Sequence, residues 1–143
     1  MYCDPSALIP LYLHQPRSRE LVAWRARLGG SLPITHHGRA EVVNAISLAR
    51  FRAEIAADKA TEAWALLDHD IAEGHLHLVS LAWRAALNEA VALSQAHSPR
   101  FGTRAADVLH VACAVELKLK HFLTFDDRQR KLAAAAGLKL VRI

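Results

Sequence analysis

Four acidic positions carry the chemistry that this sequence offers: Asp4, Glu41, Asp107 and Asp126, the last followed by Asp127. Each stands where a short apolar run gives way to a helical one, or in the first turns of a helix. Two unit charges about 4 Å apart repel by roughly 4 kcal/mol at an effective dielectric of ~20. Four carboxylates sharing a cleft therefore need a cation or raised pKa values. Oxygen-only ligation favours a hard ion, Mg²⁺ or Mn²⁺. Such an ion also reverses the local sign, so that a phosphate can approach.

Each acid has a quieter reading. Asp4 before Pro5 suits an N-cap with proline at the first helical position. Glu41 in a first turn is favoured by the helix dipole, and Asp126 with Gln129 fits a capping box. Asp107 lies in a helix that is apolar nearly all round, Ala105 to Val115, where a carboxylate costs several kcal/mol unless satisfied. A structural pair with His110, three residues on, is the alternative there.

The elements that must position these acids follow from the pattern. Tyr2-Cys3 opens a strand that stops at Asp4-Pro5, and Ser6–Leu13 reads as helix, with Pro10 predicting a kink or an early end. Ser18–Leu28 is a second helix, stopped by Gly29-Gly30, and Leu32–Thr35 a second strand. Helices are expected over Arg39–Arg52 and Ala56–Glu73, a third strand over Leu76–Leu81, and a helix from Trp83 to about Ala96. Ser98–Gly102 reads as a loop, with Thr103 capping a helix to Leu119. Lys120–Phe125 is strand four, Asp127–Ala136 the last helix, Gly137 its C-cap and Leu138–Ile143 strand five. Strands alternating with helices imply a parallel α/β sheet covered on both faces. In such sheets, sites lie just beyond the C-terminal ends of the strands.

The 143 residues suit a single domain, 1–143, without repeats or a linker. A hydrophobic share of 52% excludes a disordered chain, and no apolar run approaches the ~18 residues of a membrane span. No signal-peptide pattern opens the chain. Cys3 and Cys113 form no metal-binding motif, which is economical for a reduced, cytoplasmic protein. The nine histidines, His36-His37 included, show no zinc spacing and read as surface and packing residues. The net charge is +4, and thirteen of the eighteen basic residues are arginine, suited to forked contact with phosphate. With four negative charges withdrawn into a site, the remaining surface favours a polyanion.

Four segments resemble the PIN-domain family, and within it the VapC ribonuclease toxins. Tyr2-Cys3-Asp4-Pro5-Ser6-Ala7-Leu8-Ile9 is similar to its strand-Asp-x-Ser start, and Ala40-Glu41-Val42-Val43-Asn44-Ala45 to its second acidic motif. Arg104-Ala105-Ala106-Asp107-Val108-Leu109-His110-Val111-Ala112 is similar to the third, and Phe122-Leu123-Thr124-Phe125-Asp126-Asp127 with the later Gly137–Val141 to the ending. Pro5 and Pro10 depart from the family pattern. The resemblance implies a three-layer α/β/α sandwich with a five-stranded, mostly parallel sheet. It also implies an Mg²⁺-dependent (or Mn²⁺-dependent) endoribonuclease with catalytic acids Asp4, Glu41, Asp107 and Asp126, neutralised by a cognate antitoxin and homodimeric. Asp4 and Asp107 would hold the principal ion. Asp126 is preferred over Asp127 on the family's Thr-x-Asp motif, although Asp127 stays a candidate ligand. Ser6 and Thr124 match the family's hydroxyl positions. Arg39 and Arg104, beside motif acids, are candidate phosphate clamps, with a solvated salt bridge an equal alternative.

Other classes fare worse. A haloacid-dehalogenase phosphotransferase wants Asp-x-Asp, where Asp4-Pro5-Ser6 offers one acid, and a receiver domain wants a later lysine that has no place here. An RNA-processing PIN nuclease and a silent PIN-like binding module are the remaining alternatives.

Overall fold

The structure, a computed structural model, describes residues 1–143. Its elements run β1 (Tyr2–Cys3), α1 (Pro5–Tyr12), α2 (Ser18–Leu28), β2 (Leu32–Thr35), α3 (His36–Phe51), α4 (Ala57–Ala72), β3 (Leu76–Val79), α5 (Trp83–Phe101), α6 (Ala105–Glu116), β4 (His121–Leu123), α7 (Asp127–Ala135) and β5 (Lys139–Leu140). The alternation of strand and helix, with every strand pairing parallel, is that of a PIN-like α/β protein. The five expected strands are all present. Their ladders form a three-stranded set, β1-β4-β5, and a two-stranded set, β2-β3. No helix is long and apolar enough to cross a membrane.

The chain gathers into two compact units, one of residues 1–4 and 80–142, the other of residues 5–79 with Ile143. In the first, β4 is the central strand, with Tyr2 and Cys3 opposite Phe122 and Leu123, and His121 and Phe122 opposite Lys139 and Leu140. Register brings the Tyr2 and Phe122 rings into a stack, 5.4 Å between centroids. Against them lies α6, whose Val111, Ala112, Cys113 and Ala114 are all buried. Four consecutive buried residues make this a helix covered all round, as its apolar sequence predicts. His110 sits in the same core and shares a 2.7 Å hydrogen bond with the Tyr2 hydroxyl. In the second unit, β2 and β3 pair over four residues from Leu32↔Leu76 to Thr35↔Val79. Leu8, Leu21, Ile46 and Leu67 from its four helices are all buried.

Several boundaries differ from the sequence expectation, α1 spanning Pro5–Tyr12 and α6 ending at Glu116 among them, and three differences have a clear local reason. Helix α3 begins at His36 rather than Arg39, because the Thr35 hydroxyl accepts the Gly38 N–H at 2.9 Å and caps it. Glu41 therefore lies in the second turn. Helix α5 continues through Pro99 to Phe101, where a loop was expected. A proline so near the end removes one hydrogen bond only, and Gly102, at φ +63, closes the helix by donating to the Ser98 carbonyl at 2.8 Å. Thr103 does not cap α6, since its hydroxyl pairs with Ser98 Oγ at 2.7 Å and Arg104 takes the N-cap position. Strands β3, β4 and β5 are shorter than expected at their ends. Pro10 lies inside α1, which ends two residues later at Tyr12.

Two core groups make the fold sensitive to alkali. Burial pushes the Cys113 thiol up to about 11. Burial, then the hydrogen bond to Asp70 at 2.8 Å, holds the Tyr12 phenol well above its usual range. Both shifts favour the neutral form in the folded chain, so their stabilisation is complete below the ordinary pKa values and fades as pH rises through the folded ones. The melting temperature should fall between about pH 8.5 and pH 11. A melting temperature that holds constant across that range would contradict this account. Native protein at neutral pH should resist thiol reagents at both buried cysteines, Cys3 and Cys113.

Candidate active site

The site grows from the parallel register of β1 and β4. With Cys3 opposite Leu123, the residues that follow, Asp4 and Thr124, leave the sheet side by side at its C-terminal edge. Neighbouring strands lie about 4.8 Å apart. Asp4 donates its N–H to the Leu123 carbonyl at 3.1 Å, so the ladder runs one residue past the strand and fixes the acid's backbone. Asp4 is 5% exposed and Thr124 3%. A carboxylate so covered is costly to keep charged unless other groups or an ion satisfy it.

Thr124 also shapes the turn into α7. Its hydroxyl accepts the Asp126 N–H at 3.0 Å, and the Asp126 carboxylate accepts the Gln129 N–H at 2.8 Å, capping the helix. Asp126 is half-buried, whereas Asp127, the first residue of α7, is exposed. Asp107, in the first turn of α6, turns one oxygen to the Arg104 N–H at 2.9 Å. It is half-buried rather than sunk in the helix's apolar face, and His110 bonds Tyr2 instead of forming the Asp–His pair weighed above. Gln129 joins the two helix starts, its Nε2 donating to the Asp107 carbonyl at 3.3 Å.

Asp4, Asp107 and Asp126 thus belong to one unit, around one strand edge and two helix N-termini. Their ligand atoms do not all lie within 4.8 Å of one another. Asp107 and Asp126 each commit one oxygen to a backbone cap and keep the second. The donor set suits a hard divalent cation, since it offers carboxylate oxygens and the Thr124 hydroxyl. Gln129 Oε1 is buried and receives no hydrogen bond, while its Nε2 reaches the Asp107 carbonyl.

The remaining predicted residues are placed as follows. Glu41 lies on the other unit, where His37, one turn earlier on α3, brings Nε2 to 3.3 Å from its carboxylate. Ser6 is the second residue of α1 and is half-buried. Arg39 is held in an exposed ion pair with Asp68 at 2.9 Å, the solvated alternative. The Arg104 side chain is exposed at the start of α6. The sequence reading gives no role in the site to His37, Gln129 or Arg130, whose guanidinium reaches the Thr124 carbonyl at 3.4 Å. The i, i+4 spacing of His37 and Glu41 was the available signal. Nothing in the sequence marks Gln129 beyond its place in a capping box.

The chain matches the PIN domain family over residues 1–135 and belongs to it. The matched span contains all of the acids described above. Among curated proteins, none is significantly similar. PIN domains are generally metal-dependent nucleases, which places this chain among hydrolases at that level.

Capping separates the two adjacent acids. Asp126→Ala should cost about 0.5–2 kcal/mol of stability through the lost cap, and Asp127→Ala within about 0.5 kcal/mol of none. Chemical denaturation of both variants checks this. Equal losses, or a larger one for Asp127→Ala, would contradict the assignment of the cap to Asp126.

Proposed function

We propose that this protein is an Mg²⁺-dependent endoribonuclease, with Mn²⁺ as a substitute, that acts in the cytoplasm as the toxin of a toxin–antitoxin pair. The observation that carries the reading is the PIN match over residues 1–135 together with Asp4 beside Thr124 at the C-terminal edge of the β1–β4 ladder. Asp4 and Asp107 are the principal ligands, and Asp126 ligates directly or through water. Glu41 carries over from the family's second acidic motif. A bound divalent cation supplies Lewis acidity at the scissile phosphate and acidifies the attacking water.

The chain's own residues do the positioning. The backbone bond from Asp4 to Leu123 holds the first carboxylate at the strand edge. The Thr124 hydroxyl fixes the turn that presents Asp126. The N-termini of α6 and α7 place positive dipole ends near Asp107 and Asp126. Arginines outnumber lysines thirteen to five, supplying forked donors for the phosphates of an RNA strand.

As a toxin, the protein requires a cognate antitoxin. A guanidinium set among the acids would replace the cation's charge with paired donors, so inhibition should weaken in high salt and compete with excess Mg²⁺. A homodimer completes the proposal.

Asp4→Asn and Asp107→Asn keep side-chain shape and remove one charge each, so both should abolish cleavage of a labelled RNA in Mg²⁺ while leaving a folded protein. Cleavage by either variant at the wild-type rate would sink the site assignment. Expression of the chain alone should arrest growth, and Asp4→Asn should relieve it. Unimpaired growth at confirmed soluble expression of the active enzyme would point to RNA processing rather than a toxin.

A further inference from the structure

We infer that Gln129 is a positioning residue for the acid site, setting the separation of Asp107 and Asp126 and hence the affinity for the divalent cation. The inference rests on the metal-dependent reading above.

Gln129 is 1% exposed and lies three residues into the capped start of α7. It makes two contacts, one to each acid's surroundings. Its backbone N–H donates to Asp126 Oδ1 at 2.8 Å, and its side-chain Nε2 donates to the Asp107 carbonyl at 3.3 Å. A single residue therefore ties the carboxylate of one helix start to the backbone of the other. The amide orientation follows from this network, since the opposite one would set Oε1 against the Asp107 carbonyl.

The other end of the amide argues that packing alone does not explain the residue. Oε1 is buried and receives no hydrogen bond from the protein. A methionine or leucine of similar volume would fill the same space without burying an unsatisfied acceptor. Leu132, three residues on along α7, shows such an apolar choice at a fully buried position. What a glutamine adds at 129 is the donor that reaches Asp107. Gln129 holds Asp107 through its backbone carbonyl rather than its carboxylate, and groups that orient metal ligands commonly change metal affinity by 10- to 100-fold when removed.

Mg²⁺ titration of the apoprotein by calorimetry tests this, comparing wild type with Asp107→Asn, Gln129→Met and Leu132→Ala. Gln129→Met should bind Mg²⁺ about tenfold or more weakly. In RNA cleavage its half-saturating Mg²⁺ should rise by a similar factor, with kcat largely recovered at high Mg²⁺. Leu132→Ala should melt at a lower temperature yet bind Mg²⁺ as wild type does. Gln129→Asn, which keeps the amide but falls short of the Asp107 carbonyl, should weaken binding similarly and serves if the methionine variant does not fold. Wild-type Mg²⁺ affinity in a folded Gln129 variant, beside loss of binding in Asp107→Asn, overturns this inference alone. Absence of Mg²⁺ binding in wild type overturns the metal-dependent reading and this inference with it.

Discussion

The backbone hydrogen bond from Asp4 to Leu123 is the contact on which the site depends. It extends the β1–β4 ladder one step beyond the strands and places a buried carboxylate next to Thr124. Strand β1 has two residues, so this alignment rests on little ladder of its own. The stacked Tyr2 and Phe122 rings and the Tyr2–His110 bond supply the rest by anchoring β1 in the core of its unit. A shift of one residue would turn Tyr2 out of that core and Cys3 into its place. The same packing that stabilises the unit therefore sets where its first acid stands.

At the helix starts, one side chain serves two ends. Asp107 and Asp126 each stabilise a helix by accepting a backbone N–H, and each keeps an oxygen that the cap does not use. Cap and ligand are compatible roles for a carboxylate, because its two oxygens can face different partners. The candidate ligands Asp107 and Asp126 thereby contribute to local structure as helix caps.

Much of this was legible in the residues. The boundaries of β1, α2 and β2, the placement of Pro5 at the start of α1 and the Asp126 cap all follow from apolar runs and capping chemistry. Helix α5 was misjudged at Pro99 because local propensity weighs proline heavily, whereas a last-turn proline removes only one bond. The start of α3 was misjudged because Thr35 ends a strand and caps a helix at once, and a periodicity argument assigns it one role. Asp107 read as buried from the apolar composition of α6. Its place in the first turn, facing the Arg104 N–H, leaves it half-exposed. Gln129 was invisible in this respect, since its partner carbonyl is 22 residues away and only the packing of α6 against α7 brings them together.

The central claim is that buried Asp4 and its neighbouring acids are arranged for a divalent cation, and thermal melting with and without Mg²⁺ tests it most directly. A ligand that binds only the folded state stabilises it by about 2.7 kcal/mol at a hundred times its Kd. Wild type should melt several degrees higher in saturating Mg²⁺. Asp4→Asn, which keeps the side-chain shape but removes the carboxylate, should gain little when Mg²⁺ is added. A wild type indifferent to Mg²⁺, or an Asp4→Asn variant that gains as much from it as wild type does, would contradict the account.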